Sequence, residues 1–271
     1  MGNPYFIDEP AAIGVSGGRS SAFMLYKIIE AHGGKLPEFV KPIFTNTGKE
    51  YPQTLKFLDQ MSYQWGVDII WLEYSGKKDF KVVNFGSANR EGKPFGQLIK
   101  DRKMLPNPAK RFCSGELKVL TTERYMDSLG YGKIGDFTMA VGIRADEPRR
   151  VVKHRGKEGY IIPLVDDGAG KKDIKDFWDG QRWGLELPMM PDGSCYYTNC
   201  DLCFMKARNI KQTIIRDQGP EIADWWVGQE KEVGYHFRFD HPSYEQMRNY
   251  QGDQINMFDE YDESIPCFCG D

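Results

Sequence analysis

Ser16-Gly17-Gly18-Arg19-Ser20-Ser21 joins a short apolar run, Ala11 to Val15, to an amphipathic stretch that begins at Ala22. That stretch places Ala22, Leu25, Tyr26 and Ile29 at i, i+3, i+4 and i+7, the spacing of one helical face, and Gly33-Gly34 marks its stop. The segment therefore reads as strand, glycine turn and helix. Two adjacent glycines let backbone approach a polyphosphate with no Cβ in the way, and a helix start offers unpaired N–H groups and a positive dipole end. Ser16, Ser20 and Ser21 add hydroxyl donors, and Arg19 adds a cation. The pattern is neither GxGxxG nor GxxxxGK[ST], so the two common nucleotide fingerprints are absent. A double glycine is also an ordinary turn, and the rest of the chain has to weigh the two readings.

Working outward, Lys41 to Thr45 reads as a second strand, followed by the turn Asn46-Thr47-Gly48. Pro52 then opens a helix with Leu55, Leu58, Met61 and Trp65 on one side. Val67 to Leu72 and Phe137 to Ile143 read as two more strands. Apolar runs of this kind, rather than clean alternation, suit strands covered on both faces. The expected fold is α/β, an open, mostly parallel twisted sheet with helices on both faces. Such a sheet binds its ligand outside the carboxyl ends of the strands. Ser16 to Ser21, Thr45 to Glu50 and Gly142 to Glu147 all follow predicted strands and would converge on one crevice. Past Gly156 the strand signal fades. Short helices are expected at Asp173 to Phe177, at Lys206 to Arg216 and at Glu221 to Val227, among loops rich in Pro, Gly and Asp. The expected division is a nucleotide-binding domain over 1–156 and a helical, loop-rich, cysteine-bearing cap over 157–271, packed on the first part.

The chain has 271 residues, 40% hydrophobic and 28% charged, with a formal net charge of −3. That suits one large soluble α/β domain with an elaborated C-terminal part. No apolar run approaches the ~20 residues of a membrane span, and the N-terminus lacks the basic-then-apolar pattern of a signal peptide. A cytoplasmic protein with no membrane partner is expected. The net charge argues against a general polyanion binder. Lys100 to Lys103, Lys110-Arg111 and Arg144 to Arg155 are nonetheless locally basic. Any one of them reads as solvated surface, but three between a nucleotide loop and a cysteine group favour an anionic ligand.

The six cysteines are Cys113, Cys195, Cys200, Cys203, Cys267 and Cys269. In a cytosolic chain they read as metal ligands or reactive thiols rather than disulfides. Cys200-Asp201-Leu202-Cys203 has CxxC spacing, which lets one turn of backbone direct two thiolates at one metal centre, and Cys267-Phe268-Cys269 is a second tight pair. Cys195, beside Tyr196-Tyr197, reads as a packed thiol. His32, His154, His236 and His241 show no metal-ligand spacing. Trp225-Trp226 reads as packing, and Asp166-Asp167 as a turn into Gly168 rather than a magnesium site.

Taken in order, these segments resemble the phosphoadenosine phosphosulfate (PAPS) reductase family of the PP-loop, or adenine nucleotide α-hydrolase-like, superfamily. SGGRSSAFM, Ser16 to Met24, is similar to the superfamily's SGGxDS pyrophosphate loop. TNTGKEYPQT, Thr45 to Thr54, resembles its TDTG segment and following helix. RFCSGELKV, Arg111 to Val119, resembles the segment carrying a cluster-ligating cysteine, and VGIRADEPRR, Val141 to Arg150, the loop with its paired arginines. KKDIKDFW and NCDLCFMK stand where the family has a helix and then a CxxC. There are departures. Ser20 replaces the acidic residue of SGGxDS, Phe112-Cys113 stands where cluster-bearing sulfonucleotide reductases have Cys-Cys, and the tail is Pro-Cys-Phe-Cys-Gly.

The resemblance implies a site for ATP, or a related adenine nucleotide, with Mg2+. Ser16, Gly17, Gly18, Arg19, Ser20 and Ser21 would cradle the phosphates, Thr45, Asn46, Thr47 and Gly48 would contact the nucleotide, and Gly142 with Arg144 would close the loop. Arg144 would grip the α-phosphate or a substrate anion through a bidentate fork, against an ordinary pairing with Asp146 or Glu147, which suits Arg149 better. The resemblance further implies a [4Fe-4S] cluster on Cys113, Cys200 and Cys203, with zinc as runner-up. Cys267 or Cys269 would be a fourth ligand or, with Arg144, part of the catalytic set as a sulfur-carrying thiol. The implied activity is adenylation-dependent sulfur transfer to tRNA, DNA or a small molecule, with a sulfur donor or thiol reductant as partner. A homodimer is compatible with it. The alternatives are a sulfonucleotide reductase releasing sulfite and a silent nucleotide-binding or cluster protein, for which Ser20 is the argument.

Overall fold

The computed structural model describes residues 2–188, 195–197 and 200–250. The first strand, β1 (Ala11–Gly14), ends at the glycine loop, and α1 (Arg19–Ala31) starts three residues earlier than the apolar spacing indicates. The reason is local. Ser21 Oγ accepts from Ser16 N at 3.1 Å and donates to Gly18 O at 3.0 Å, which winds the loop directly into the helix. The chain continues through β2 (Val40–Asn46), α2 (Pro52–Trp65), β3 (Ile70–Gly76), β4 (Asp79–Val83) and α3 (Lys93–Arg102). Next, α4 (Phe112–Ser114) runs through a π-helical turn, Gly115–Leu120, into α5 (Thr121–Ser128). Thr121 Oγ1 donates to the Glu116 carbonyl at 2.8 Å, satisfying an acceptor inside that widened turn.

The strands form one six-stranded sheet in the order β4-β3-β2-β1-β5-β6, with β5 at Thr138–Val141 and β6 at Tyr160–Ile161. All pairings are parallel except β3 with β4. Alternate strand residues face opposite layers, as period-two geometry requires. Ala11, Ile13, Phe44 and Trp71 join a core with α1 and α2, whereas Ala12, Ile43 and Leu72 join a second one with Met126 of α5. Both faces are therefore covered, as the apolar runs predict.

Two strands lie outside the sequence reading. β4 is an edge strand whose residues are half-buried or exposed, and β6 is two residues long, so neither carries an apolar run. Because β6 pairs with β5, the sheet extends past 156. The elements that follow it, α7 (Pro163–Asp166) and α8 (Lys171–Asp179), pack into the first core through Leu164, Ile174 and Trp178. Trp178 stacks edgewise on Phe57 and donates from Nε1 to the Arg19 carbonyl at 3.1 Å, bracing the glycine loop from behind.

Helix α6 (Pro148–His154) lies between β5 and β6, and a separate aromatic core forms farther along around α9 (Arg208–Gln218), α10 (Asp224–Val233) and α11 (Tyr244–Arg248). Trp226, Phe237, Tyr244 and Phe204 are buried there together with Cys200 and Cys203. No described helix is long and apolar enough to cross a membrane.

Candidate functional site: a switch-point cavity beside three thiols

Strands β2 and β5 flank β1 on opposite sides, so their connections leave the sheet in opposite directions and open a crevice at the carboxyl ends. A cavity of about 330 Å³ occupies this place. Gly14, Val15, Ser16 and Ser21 form one wall, Thr45 stands beside them, and Val141 with Gly142 comes from the end of β5. The opposite wall is cationic, with Arg111, Lys118, Arg150, Lys153 and Lys157.

The predicted nucleotide residues divide into those that line the cavity and those that shape it. Ser16, Ser21, Thr45 and Gly142 line it. Gly17 turns the loop at φ +78°, and a Cβ there would stand 2.4 Å from Thr54 Cγ2, so only glycine fits against α2. Gly18 caps α1 in extended conformation, and Arg19 is its first residue. Gly142 approaches α1 so closely that a Cβ would meet Ser21 Cα at 2.8 Å. Asn46 serves the framework: its Nδ2 donates to Glu73 Oε1 at 2.6 Å and to the Asn89 carbonyl at 2.8 Å, while its Oδ1 accepts from Gly48 N at 3.0 Å. Gly48 takes the left-handed turn at φ +79°.

Arg144 does not line the cavity. Its Nε donates to Asp146 Oδ1 at 2.8 Å, and NH1 donates to Ser20 Oγ at 3.3 Å, so it ties the β5 loop to the glycine loop. Arg149 is exposed. Arg150 faces the cavity and is braced by Glu147 Oε1 at 2.7 Å. Of the basic run Arg144 to Arg155, Arg150 and Lys153 thus reach the cavity from α6.

Cys113, Cys200 and Cys203, drawn from distant parts of the chain, line one smaller cavity with about 20 Å³ of open space. Phe95, Leu117, Phe204 and Met205 form its apolar walls. Arg111, Ser114 and Lys118 line both cavities, so the α4 segment is a shared wall. Thr47 lines the smaller one, with Oγ1 3.6 Å from Cys200 Sγ. Thr47 N and Oγ1 both donate to Glu50, at 3.0 and 2.9 Å. Burial pushes the Glu50 carboxyl up from its ordinary value, against an opposing pull from Lys118 and the Thr47 hydrogen bonds.

Backbone pairing fixes the CxxC against the loop after β2. Glu50 and Cys200 form an antiparallel bridge, and Asp201 N donates to the Lys49 carbonyl at 2.8 Å. Lys206 is buried behind the thiols and donates to the Cys200 carbonyl at 3.1 Å. Burial lowers the Lys206 ammonium's pKa, and the neighbouring Cys203, Cys200, Asp201 and Cys195 oppose that shift. Cys195 is half-buried, and burial raises its thiol. Glu50 and Lys206 fall within the TNTGKEYPQT and NCDLCFMK segments without being marked by them; their burial is what singles them out.

The donor set suits a thiolate-bound group: three thiols, apolar walls, and cations close enough to offset thiolate charge. Among the described residues no three His, Cys, Asp or Glu side chains gather tightly enough to share one metal ion. Cys267 and Cys269 lie outside the described residues.

The fold and its switch-point cavity define an open, doubly wound α/β protein with a cationic ligand site. No protein-family model matches the chain. It is 27% identical over 204 residues to an uncharacterized nin region protein, ORF290, of Escherichia phage lambda. That match covers 72% of this chain and 66% of the phage protein, just under two thirds of its length. Among solved structures, the U34-tRNA thiolase NcsA from Methanococcus maripaludis, determined with its [4Fe-4S] cluster, superposes with a TM-score of 0.42 at 13% identity. That superposition covers 86% of this chain and 74% of the thiolase.

Proposed function

We propose that this protein binds an adenine nucleotide, ATP with Mg2+, in the switch-point cavity and couples it to sulfur chemistry at Cys113, Cys200 and Cys203. One observation carries the reading: Arg111, Ser114 and Lys118 line the nucleotide-sized cavity and the thiol-lined one alike. A substrate activated in the first is therefore next to sulfur in the second.

The backbone around Ser16 to Gly18 and the start of α1 supplies N–H donors for phosphate oxygens, and Arg150 with Lys118 offsets their charge. Gly142 keeps the β5 loop close enough to seal the phosphate end. Cys113, Cys200 and Cys203 would hold a [4Fe-4S] cluster, which supplies bound sulfide or electrons. Lys206 places its amino group beside the CxxC, where it donates to the Cys200 carbonyl. Transfer of AMP from ATP to an acceptor oxygen releases pyrophosphate and makes that oxygen part of a good leaving group; hydrosulfide from a sulfur donor would then displace AMP and leave its sulfur on the acceptor.

The test is anaerobic purification followed by iron and sulfide analysis, an absorption spectrum, and a pyrophosphate-release assay with ATP. Iron with pyrophosphate release supports the reading. Sulfite release from PAPS with a thiol reductant, and no pyrophosphate from ATP, would replace it with sulfonucleotide reduction. Bound nucleotide with neither product would mark a silent binding protein.

A further inference from the structure

The cationic wall exceeds what one nucleotide needs. Among the described residues, five Lys and Arg side chains line the larger cavity and no Asp or Glu does. The chain as a whole carries net charge −3, so this concentration runs against its average. The cations also crowd one another. Lys153 has its pKa lowered by burial and then by Arg111 and Lys157, and the His154 ring, lowered mainly by burial, also feels Lys157, Arg150 and Lys153. Like charges held this close cost energy that a bound anion returns.

The charge continues outward from the cavity. Lys153 and Lys157 are exposed at the mouth, Arg149 lies one helical turn before Lys153 on an exposed position, and Lys110 is exposed next to Arg111. Arg155 contributes less, because it pairs with Asp166 at 3.8 Å. Positive charge therefore continues from the cavity wall at Arg111 and Lys153 onto exposed positions in α6 and just after it. The cavity of about 330 Å³ has room for one group of nucleotide size and for no duplex, so with ATP inside it a polymer meets the site at the mouth, by presenting one unpaired residue there.

We propose that Arg111, Lys153, Lys157 and Arg149 form a binding track for the phosphate backbone of a single-stranded nucleic acid, which places one unpaired nucleotide at the mouth of the cavity. The inference names the acceptor class for the reading above and rests on that reading for what happens there. Binding of the strand itself needs neither ATP nor iron.

The experiment is fluorescence anisotropy of a fluorescein-labelled 12-nucleotide single strand, as DNA and as RNA, with the full chain at 50 to 200 mM KCl. In parallel, Mg-ATP binding is measured by calorimetry on the same preparation. Wild type is expected to bind at least one of the two strands with salt-dependent affinity. Lys153→Gln/Lys157→Gln is expected to weaken binding at least tenfold and to flatten the log–log salt slope by about 1.4, two phosphate contacts at ~0.7 each for a single strand. Lys157→Glu alone should weaken it further than Lys157→Gln. Circular dichroism and urea midpoints confirm that each variant is folded. Wild-type affinity in the double variant, or no strand binding at 50 mM KCl, overturns the proposal. Equally tight binding of the matching duplex overturns the single-strand assignment. If adenosine 3′,5′-bisphosphate binds in a Lys153- and Lys157-dependent way while neither strand does, the track serves a small phosphate ligand and the nucleic-acid proposal fails. Strand binding without ATP binding sinks the nucleotide reading alone, and ATP binding without strand binding sinks this inference alone.

Discussion

Thr47 Oγ1 lies 3.6 Å from Cys200 Sγ, joining the turn after β2 to the first cysteine of the CxxC. The same two stretches are joined by the Lys49–Asp201 ion pair at 2.7 Å and by Tyr51 OH donating to the Asp201 carbonyl at 2.8 Å. The switch-point end of the sheet and the thiol site are therefore one mechanical unit, and Asp201 is its rivet.

Asp201 Oδ1 also accepts from Trp226 Nε1 at 2.8 Å, in a residue that is buried. Asp201→Ala strands the Lys49 ammonium and the Trp226 indole N–H together. The expected cost is about 3–5 kcal/mol, the range for removing one partner of a buried ion pair. Urea unfolding of wild type and variant checks it; a loss below 1 kcal/mol would show that the clamp contributes little.

Cys113, Cys200 and Cys203, each replaced singly by Ser, are expected to lose iron and the visible chromophore, with a lower unfolding midpoint because bound metal contributes to folding. Cys195→Ser is expected to keep full iron content. Full iron in all three of the first variants would remove the ligand assignment.

Gly17→Ala puts a methyl group where φ is +78° and Thr54 Cγ2 is 2.4 Å away. Strain of this kind costs about 1–3 kcal/mol. Adding Thr54→Ser deletes the clashing Cγ2, so the double variant should recover part of the loss while the backbone penalty remains. A double-mutant cycle with no coupling would show that the clash is relieved elsewhere.

Glu50 has a native pKa above its ordinary 4.5 because it is buried. The native state therefore holds its proton more tightly than the unfolded chain, and stability falls as pH rises from about 4.5 towards the native value. Above that value the penalty is constant. Glu50→Gln cannot ionise and should lack this decline. Unfolding midpoints across pH 4.5 to 8 decide it; parallel wild-type and variant curves would show that Glu50 titrates as if exposed.

Local chemistry made part of this molecule legible in the sequence. The glycine loop, the parallel strands and the helices at Pro52 and Lys171 follow from short-range periodicity and turn residues, which need no partner to be recognised. The sequence also gave away the presence of the thiols and the basic runs. Edge strands β4 and β6 escaped because pairing with a neighbour, not an apolar run, makes them strands. Only the tertiary structure brought Cys113 to the cavity of Cys200 and Cys203, turned Arg144 onto Asp146 and Ser20, and aimed Arg150, Lys153 and Lys157 at the nucleotide-sized space. Burial decided Glu50 and Lys206 in the same way. Residue type and spacing fix what a side chain can do, whereas its partner and its exposure to water depend on which distant segments the sheet and the aromatic core press together.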